Sequence, residues 1–206
     1  MPTNADDETA PNRIDPRAAE VLEFWFGARD GDEWGTIRKL WFAGGPAVDE
    51  EIRSRFAALH AIALAGELDQ WHASAEGCLA LLLVLDQFSR NLHRGTAAAF
   101  SADAKALALA RQGLERRFDA QVLAVQRWFY YLPFEHSENL DDQRRAVALF
   151  SALPEEPSRA MGVDYARKHL EVIEQFGRFP HRNAMLGRES TPEEARWLAE
   201  GGARFG

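Results

Sequence analysis

The chain of 206 residues has one cysteine, Cys78, so no internal disulfide can staple it. Its Leu-rich surroundings make Cys78 a packing residue rather than a reactive thiol. Only Lys39, Lys105 and Lys168 among the 24 basic residues are lysines. The longest apolar run, Gly77 to Leu85, is far below the roughly 20 residues that span a bilayer. Met1–Ile14 lacks the basic-then-apolar order of a signal peptide. These features point to a cytoplasmic protein with no membrane partner. Several chemical signatures are missing too: a Gly-rich phosphate loop before Lys-Ser/Thr, His-Glu-x-x-His, Gly-x-Ser-x-Gly and paired cysteines. No cofactor and no metal are expected.

What remains is an ordinary globular composition, 46% hydrophobic and 27% charged. A chain this long buries roughly 70% of its unfolded surface and forms a core unaided. The net charge of −8 is uneven: residues 1–85 hold 7 Lys/Arg against 15 Asp/Glu, and residues 86–206 hold 17 of each. No segment supplies the basic patch that nucleic-acid binding needs, so none is expected.

Residues 1–14 are polar and read as a disordered tail, leaving 15–206 as a single domain. Asp15-Pro16 starts a helix with Val21, Leu22, Trp25 and Phe26 at helical spacing, and Gly27 stops it. Val48, Ile52, Phe56, Leu59 and Ile62 mark a second helix, and Ser74 caps a third that is apolar all round. Ser101, Asp119, Ser137 and Ser158 are placed to cap four more, with Pro133 ending the one after Asp119. Thr191-Pro192-Glu193-Glu194 is a capping box. The sum is an all-α domain of about nine helices in antiparallel pairs, without convincing strands and without a period near 34 residues.

Three stretches put polar groups beside apolar anchors. In Asp86-Gln87-Phe88-Ser89-Arg90-Asn91-Leu92-His93-Arg94, helical spacing places Asp86, Arg90 and Arg94 on one face, with Gln87 and Asn91 one step round. In Leu132-Pro133-Phe134-Glu135-His136-Ser137-Glu138, His136 sits just before a helix start, and Glu135 and Glu138 flank it. The third crowds Arg178, His181, Arg182, Asn183 and Arg188 between two helices, with Phe179-Pro180, cis or trans, shaping the loop. His169 reads as a satisfied core histidine. Trp25, Trp34 and Trp41 read as core.

At these stretches, and at Val21-Leu22-Glu23-Phe24-Trp25-Phe26-Gly27, the chain resembles a mostly bacterial family, the domain of unknown function numbered 924. The likeness runs to the Thr191 capping box. It implies a tetratricopeptide-like helical fold and no established activity.

Three readings of the polar stretches follow. In the first, Arg90, Arg94, Arg178 and Arg182 converge near His136 and His181 to bind an anionic small molecule or an acidic peptide or protein terminus. In the second, His136 is a general acid or base oriented by Glu135 or Glu138, in a cofactor-independent enzyme acting on an anionic substrate. In the third, the motifs only lock helix ends together in a scaffold. Arg182 separates them: it either lines a pocket or closes a buried pair with Asp86 or Glu138.

Overall fold

The computed structural model describes residues 14–42, 45–154 and 157–205; the expected tail, 1–14, lies outside them except for Ile14, which packs against the core. Helix α1, Pro16–Phe26, begins where Asp15 accepts from the Arg17 backbone N–H, and ends at Gly27, whose φ of 91° glycine tolerates. Its apolar face buries Val21, Leu22, Trp25 and Phe26. Helix α2, Pro46–Leu64, presents Ile52, Phe56 and Leu59 to the same core. Rings interlock around α1: Phe24 lies 5.2 Å from Phe56 of α2, and Phe26 lies 5.4 Å from Phe129, centroid to centroid.

The central helix starts as α3, Ala75–Leu82, with Ser74 accepting from Gly77 N–H at 3.2 Å. It then widens into a π-helical segment, Leu83–Phe88, and returns as α4, Ser89–Leu92. The widened turn leaves carbonyls for side-chain donors: Ser89 Oγ donates to Leu85 O at 2.5 Å, and Arg90 Nη1 to Asp86 O at 3.2 Å. Sequence periodicity gave no sign of this segment.

Helices α5 (Asp103–Glu115), α6 (Ala124–Glu135), α7 (Leu140–Ser151) and α8 (Pro157–Phe176) follow, each packed on the one before. The last, α9 (Pro192–Ala199), has the expected capping box: Glu194 N–H donates to Thr191 Oγ1 at 3.2 Å, and Thr191 N–H to Glu194 Oε2 at 2.8 Å. Counting α3 to α4 as one, the described residues form eight α-helices and no strand. The architecture is all-α.

Several expected helix starts differ. Ala102, not Ser101, precedes α5, and it makes no side-chain cap. Asp119 begins a separate 3-10 turn, and its carboxylate accepts from the Tyr131 hydroxyl at 3.0 Å. Pro133 does not end α6. It sits in the last turn, and the helix continues to Glu135. His136 is therefore the C-cap of α6 rather than the lead-in to α7, which Asn139 caps instead of Ser137. The Phe179-Pro180 bond is trans. No helix among the described residues is long and apolar enough to cross a membrane.

Candidate functional site

A cavity of about 570 Å³ opens between α1, the end of the central helix, α6, α8 and the segment Gly201–Phe205. One wall is aromatic: Trp25, Trp41, Trp128, Phe129 and Phe150. The other end is polar and holds Gln87, Arg90, Asn91, Arg94, His136 and Arg204. Phe42 and Tyr165 stack at 6.3 Å beside it and are half-exposed. A smaller cavity of about 220 Å³ shares Arg90, Arg94, Arg204 and Phe205, and adds His181. Arg204 and Phe205 thus border both.

The polar end centres on Asp86, which is almost fully buried. Its Oδ1 accepts from His136 Nδ1 at 2.8 Å and its Oδ2 from Gln87 Nε2 at 2.6 Å, and Arg90 Nη1 lies 3.4 Å away. Burial opposes its charge, but Arg90, His136 and these hydrogen bonds outweigh burial and hold the carboxyl far below the usual range. Asp86 is therefore ionised, which fixes the His136 proton on Nδ1 and leaves Nε2 as the lone-pair nitrogen. Burial, then the Arg90 charge, push the His136 pKa below that of a free imidazole, so the ring is neutral at pH 7.

Arg90 and Arg182 both reach Asp103 of α5, at 2.8 and 3.3 Å. The two arginines and the carboxylates of Asp86 and Asp103 sum to zero. Arg94 and Asn91 turn instead to Asp49 of α2, at 2.8 Å each. The single face expected for Asp86, Arg90 and Arg94 thus splits between two carboxylate partners. Arg204 has no carboxylate within salt-bridge distance among the described residues.

Behind His136 lies a second pair. His169 Nδ1 donates to Tyr165 O at 2.9 Å and sits 3.0 Å from Glu135 Oε1. Burial, then the nearby Asp86 charge, push the Glu135 pKa up to about 8. Burial holds His169 well below its usual value. Among the described residues, Glu135 Oε2 and His169 Nε2 are buried without a partner, as are the indole nitrogens of Trp25 and Trp128. All four residues line the cavity. His169 is thus not the satisfied core histidine expected of it, and its ring is stacked under Phe205 at 3.6 Å.

The third stretch mostly stays away from the large cavity. Arg178 Nε donates to Glu194 Oε1 at 2.6 Å, and Asn183 Nδ2 to Glu194 Oε2 at 3.1 Å. Glu138 accepts from Arg188 at 2.7 Å and from the Phe179 N–H at 2.8 Å. Ser137 Oγ donates to Asp142 at 2.9 Å. Arg178, Asn183, Glu138 and Arg188 therefore brace α9 and the loop and do not line the large cavity. Arg182 is buried with its guanidinium between the Phe100 and Phe179 rings, at 4.5 and 4.4 Å. Its pKa is lowered to about 10 by burial and then by Arg90. It closes a buried pair, with Asp103 rather than Asp86 or Glu138, and it is not in the cavity wall. His181 borders only the smaller cavity. Burial, then Arg182, lower its pKa to about 4.

Of the twelve residues singled out from sequence, the large cavity gathers Gln87, Arg90, Asn91, Arg94, Glu135 and His136, with Asp86 directly behind His136. Sequence reasoning missed Asp103, Asp49, Trp128 and Arg204, none of which lies in a distinctive local pattern. Among the described residues, no three His, Cys, Asp or Glu side chains gather as metal ligands.

Residues 21–202 match a family described as "Bacterial protein of unknown function (DUF924)". The chain belongs to that family. A solved structure, that of a protein of unknown function, ATU0120 from Agrobacterium tumefaciens, is 40% identical and superimposes with a TM-score of 0.78. The match covers 89% of this chain and 97% of that one. No curated protein matches the chain.

Proposed function

We propose that the large cavity binds a small organic monoanion with an apolar or aromatic body. The observation that carries this reading is that one cavity is lined by both aromatic rings and arginine side chains. Trp41, Phe42 and Tyr165 offer accessible ring surface, which suits an apolar body, and the buried Trp25 and Trp128 back it. Arg90, Arg94 and Arg204 border the place where a carboxylate would lie. The Asp86–Asp103–Arg90–Arg182 cluster is already neutral, so Arg204 supplies the surplus charge. One surplus cation favours a monocarboxylate over a phosphate dianion.

The scaffold reading accounts for Arg178, Asn183, Arg188 and Glu138. It gives no role to the cavity-lining Glu135 and His169, each of which has a buried polar atom with no partner among the described residues.

Thermal denaturation and tryptophan fluorescence with 4-phenylbutyrate, 4-phenylbutyramide and inorganic phosphate test the reading. The carboxylate is expected to raise the melting temperature and alter emission more than the amide or phosphate does, and Arg204→Ala is expected to weaken its effect. Equal responses to the acid and the amide, or none to either, would overturn the monoanion reading.

A further inference from the structure

We propose that His136 is the catalytic base of a water-activating site that hydrolyses a carboxylate-bearing ester or amide held in the large cavity. The proposal rests on the monoanion reading above and adds a reaction to it.

The geometry of the base comes first. His136 Nδ1 is fixed on Asp86 Oδ1 at 2.8 Å, and Asp86 is itself anchored by Gln87 and Arg90. A buried carboxylate on one ring nitrogen sets the tautomer and the ring angle. The opposite nitrogen, Nε2, makes no hydrogen bond within the described residues. The side chain lines the cavity and keeps 12% of its surface exposed. Asp86 is thus the positioning residue, and Nε2 is the atom offered to a ligand or a water.

The cavity wall then narrows the chemistry. Among the described residues it contains no serine, threonine, cysteine or lysine. Ser137, next in sequence to the base, is bonded to Asp142, and Ser89 is buried against His60 at 2.7 Å. Apart from the Tyr165 phenol, the cavity wall thus offers, among the described residues, no hydroxyl or thiol to carry a covalent acyl intermediate. Direct attack by water has what it needs. The rim is open to solvent where the Arg94 side chain is 45% exposed, and Arg90, held on Asp103, lines the same wall.

The step balances without another reactant. Nε2 takes a proton from water while the water oxygen bonds to the carbonyl carbon, and Arg90 faces the resulting oxyanion. The carbon–oxygen or carbon–nitrogen bond then breaks, and the proton on Nε2 passes to the leaving oxygen or nitrogen. The products are an acid and an alcohol or amine, and His136 returns to its neutral form.

The charged and titratable groups around His136 are Asp86 and Arg90 on the central helix, Asp103 on α5, Glu135 beside it, His169 on α8, and Arg182, whose Nη1 donates to the His136 carbonyl at 3.1 Å. Burial and Arg90 outweigh the two aspartates, so the base form persists below the ordinary imidazole midpoint of 6.5.

The test uses two activated esters, mono-4-nitrophenyl glutarate, which carries a carboxylate, and neutral 4-nitrophenyl butyrate, with 4-phenylbutyrate as a competitor. The wild-type chain is expected to hydrolyse the anionic ester saturably and faster than the neutral one. Its rate should follow one deprotonation with a midpoint below 6.5. His136→Gln should lower kcat by at least about 100-fold and leave KM within a few-fold. Hydrolysis that survives His136→Gln, or a rate flat with pH around that midpoint, would refute the proposal. The pH profile of the wild type decides even if the variant fails to fold. If phenylbutyrate binds and wild type leaves the anionic ester intact, catalysis falls and monoanion binding stands. If phenylbutyrate does not bind, both fall.

Discussion

Arg90 and Arg182 meet on one carboxylate: Arg90 Nη1 donates to Asp103 Oδ1 at 2.8 Å, and Arg182 Nη1 to Asp103 Oδ2 at 3.3 Å. Two motifs far apart in the chain are joined at a residue that belongs to neither. Arg90 continues into the cavity wall, and Arg182 is enclosed by Phe100 and Phe179. The first arginine lines the cavity, and the second holds the loop.

Removing Arg182 is therefore a stability experiment. Arg182→Ala strands part of the Asp103 charge and empties the gap between two rings. Breaking a buried pair costs about 3–5 kcal/mol. Asp103 keeps Arg90, so the lower end, about 3 kcal/mol, is expected. At about 2–4 °C per kcal/mol for a domain of this size, the melting temperature should fall by about 6–12 °C. A change within about 1 °C would show that Arg182 is not holding the loop.

Glu135 makes stability depend on pH. In the unfolded chain its carboxyl titrates near 4.5, and in the fold near 8. Between those values the folded state keeps a proton that the unfolded state has lost, so stability declines as pH rises through this window. Glu135→Gln imitates the protonated acid and should remove the decline. Urea midpoints of both proteins, measured from about pH 6 to about pH 9, check this: the wild type should fall with pH and the variant should stay nearly level. Parallel curves would place the titrating group elsewhere.

Gly162 on α8 marks a close approach in the cavity wall. A Cβ there would lie 2.6 Å from Phe150 Cδ1 and 3.2 Å from Trp128 Cζ2. Both rings line the cavity and would have to shift. Overpacking costs about 1–3 kcal/mol, and the gain in helix propensity returns about 0.5–1. Gly162→Ala should therefore lower the melting temperature by a few degrees and weaken phenylbutyrate binding. Unchanged stability would show that the rings yield freely.

Cys78 is 1% exposed, and burial pushes its thiol up to about 12. The thiolate is the nucleophile, so a disulfide reagent at pH 8 should label the folded chain very slowly and the unfolded chain at once. Rapid labelling of one thiol per folded chain would contradict the packing.

The helices were legible in the sequence because their signals are local. Apolar residues at helical spacing, Asp15-Pro16, Gly27, Ser74 and the Thr191–Glu194 box each act within a turn or two of themselves. Starts failed where the local rule had a stronger competitor. Asp119 was taken by the Tyr131 hydroxyl, and Pro133 fell so late in α6 that the helix outlasted it.

The site was legible only as composition. The sequence marked His136, Asp86 and Arg90 as polar residues beside apolar anchors, and the family resemblance tied their motifs together. Which donor meets which acceptor depends on helix packing. Arg94 could have stayed with Asp86 by spacing, yet it lies on Asp49 because α2 crosses there. Arg182 could have faced the cavity, yet Phe100 and Phe179 enclose it. The π-helical segment at Leu83–Phe88 is a property of the packed helix with no local signature. Hydrophobic periodicity and caps, acting over a few residues, thus determined that this chain is a bundle of helices. Tertiary packing alone decided which long arginine side chains pair, and placed His136 in the cavity wall with Nδ1 on Asp86, because those contacts join residues the sequence keeps far apart.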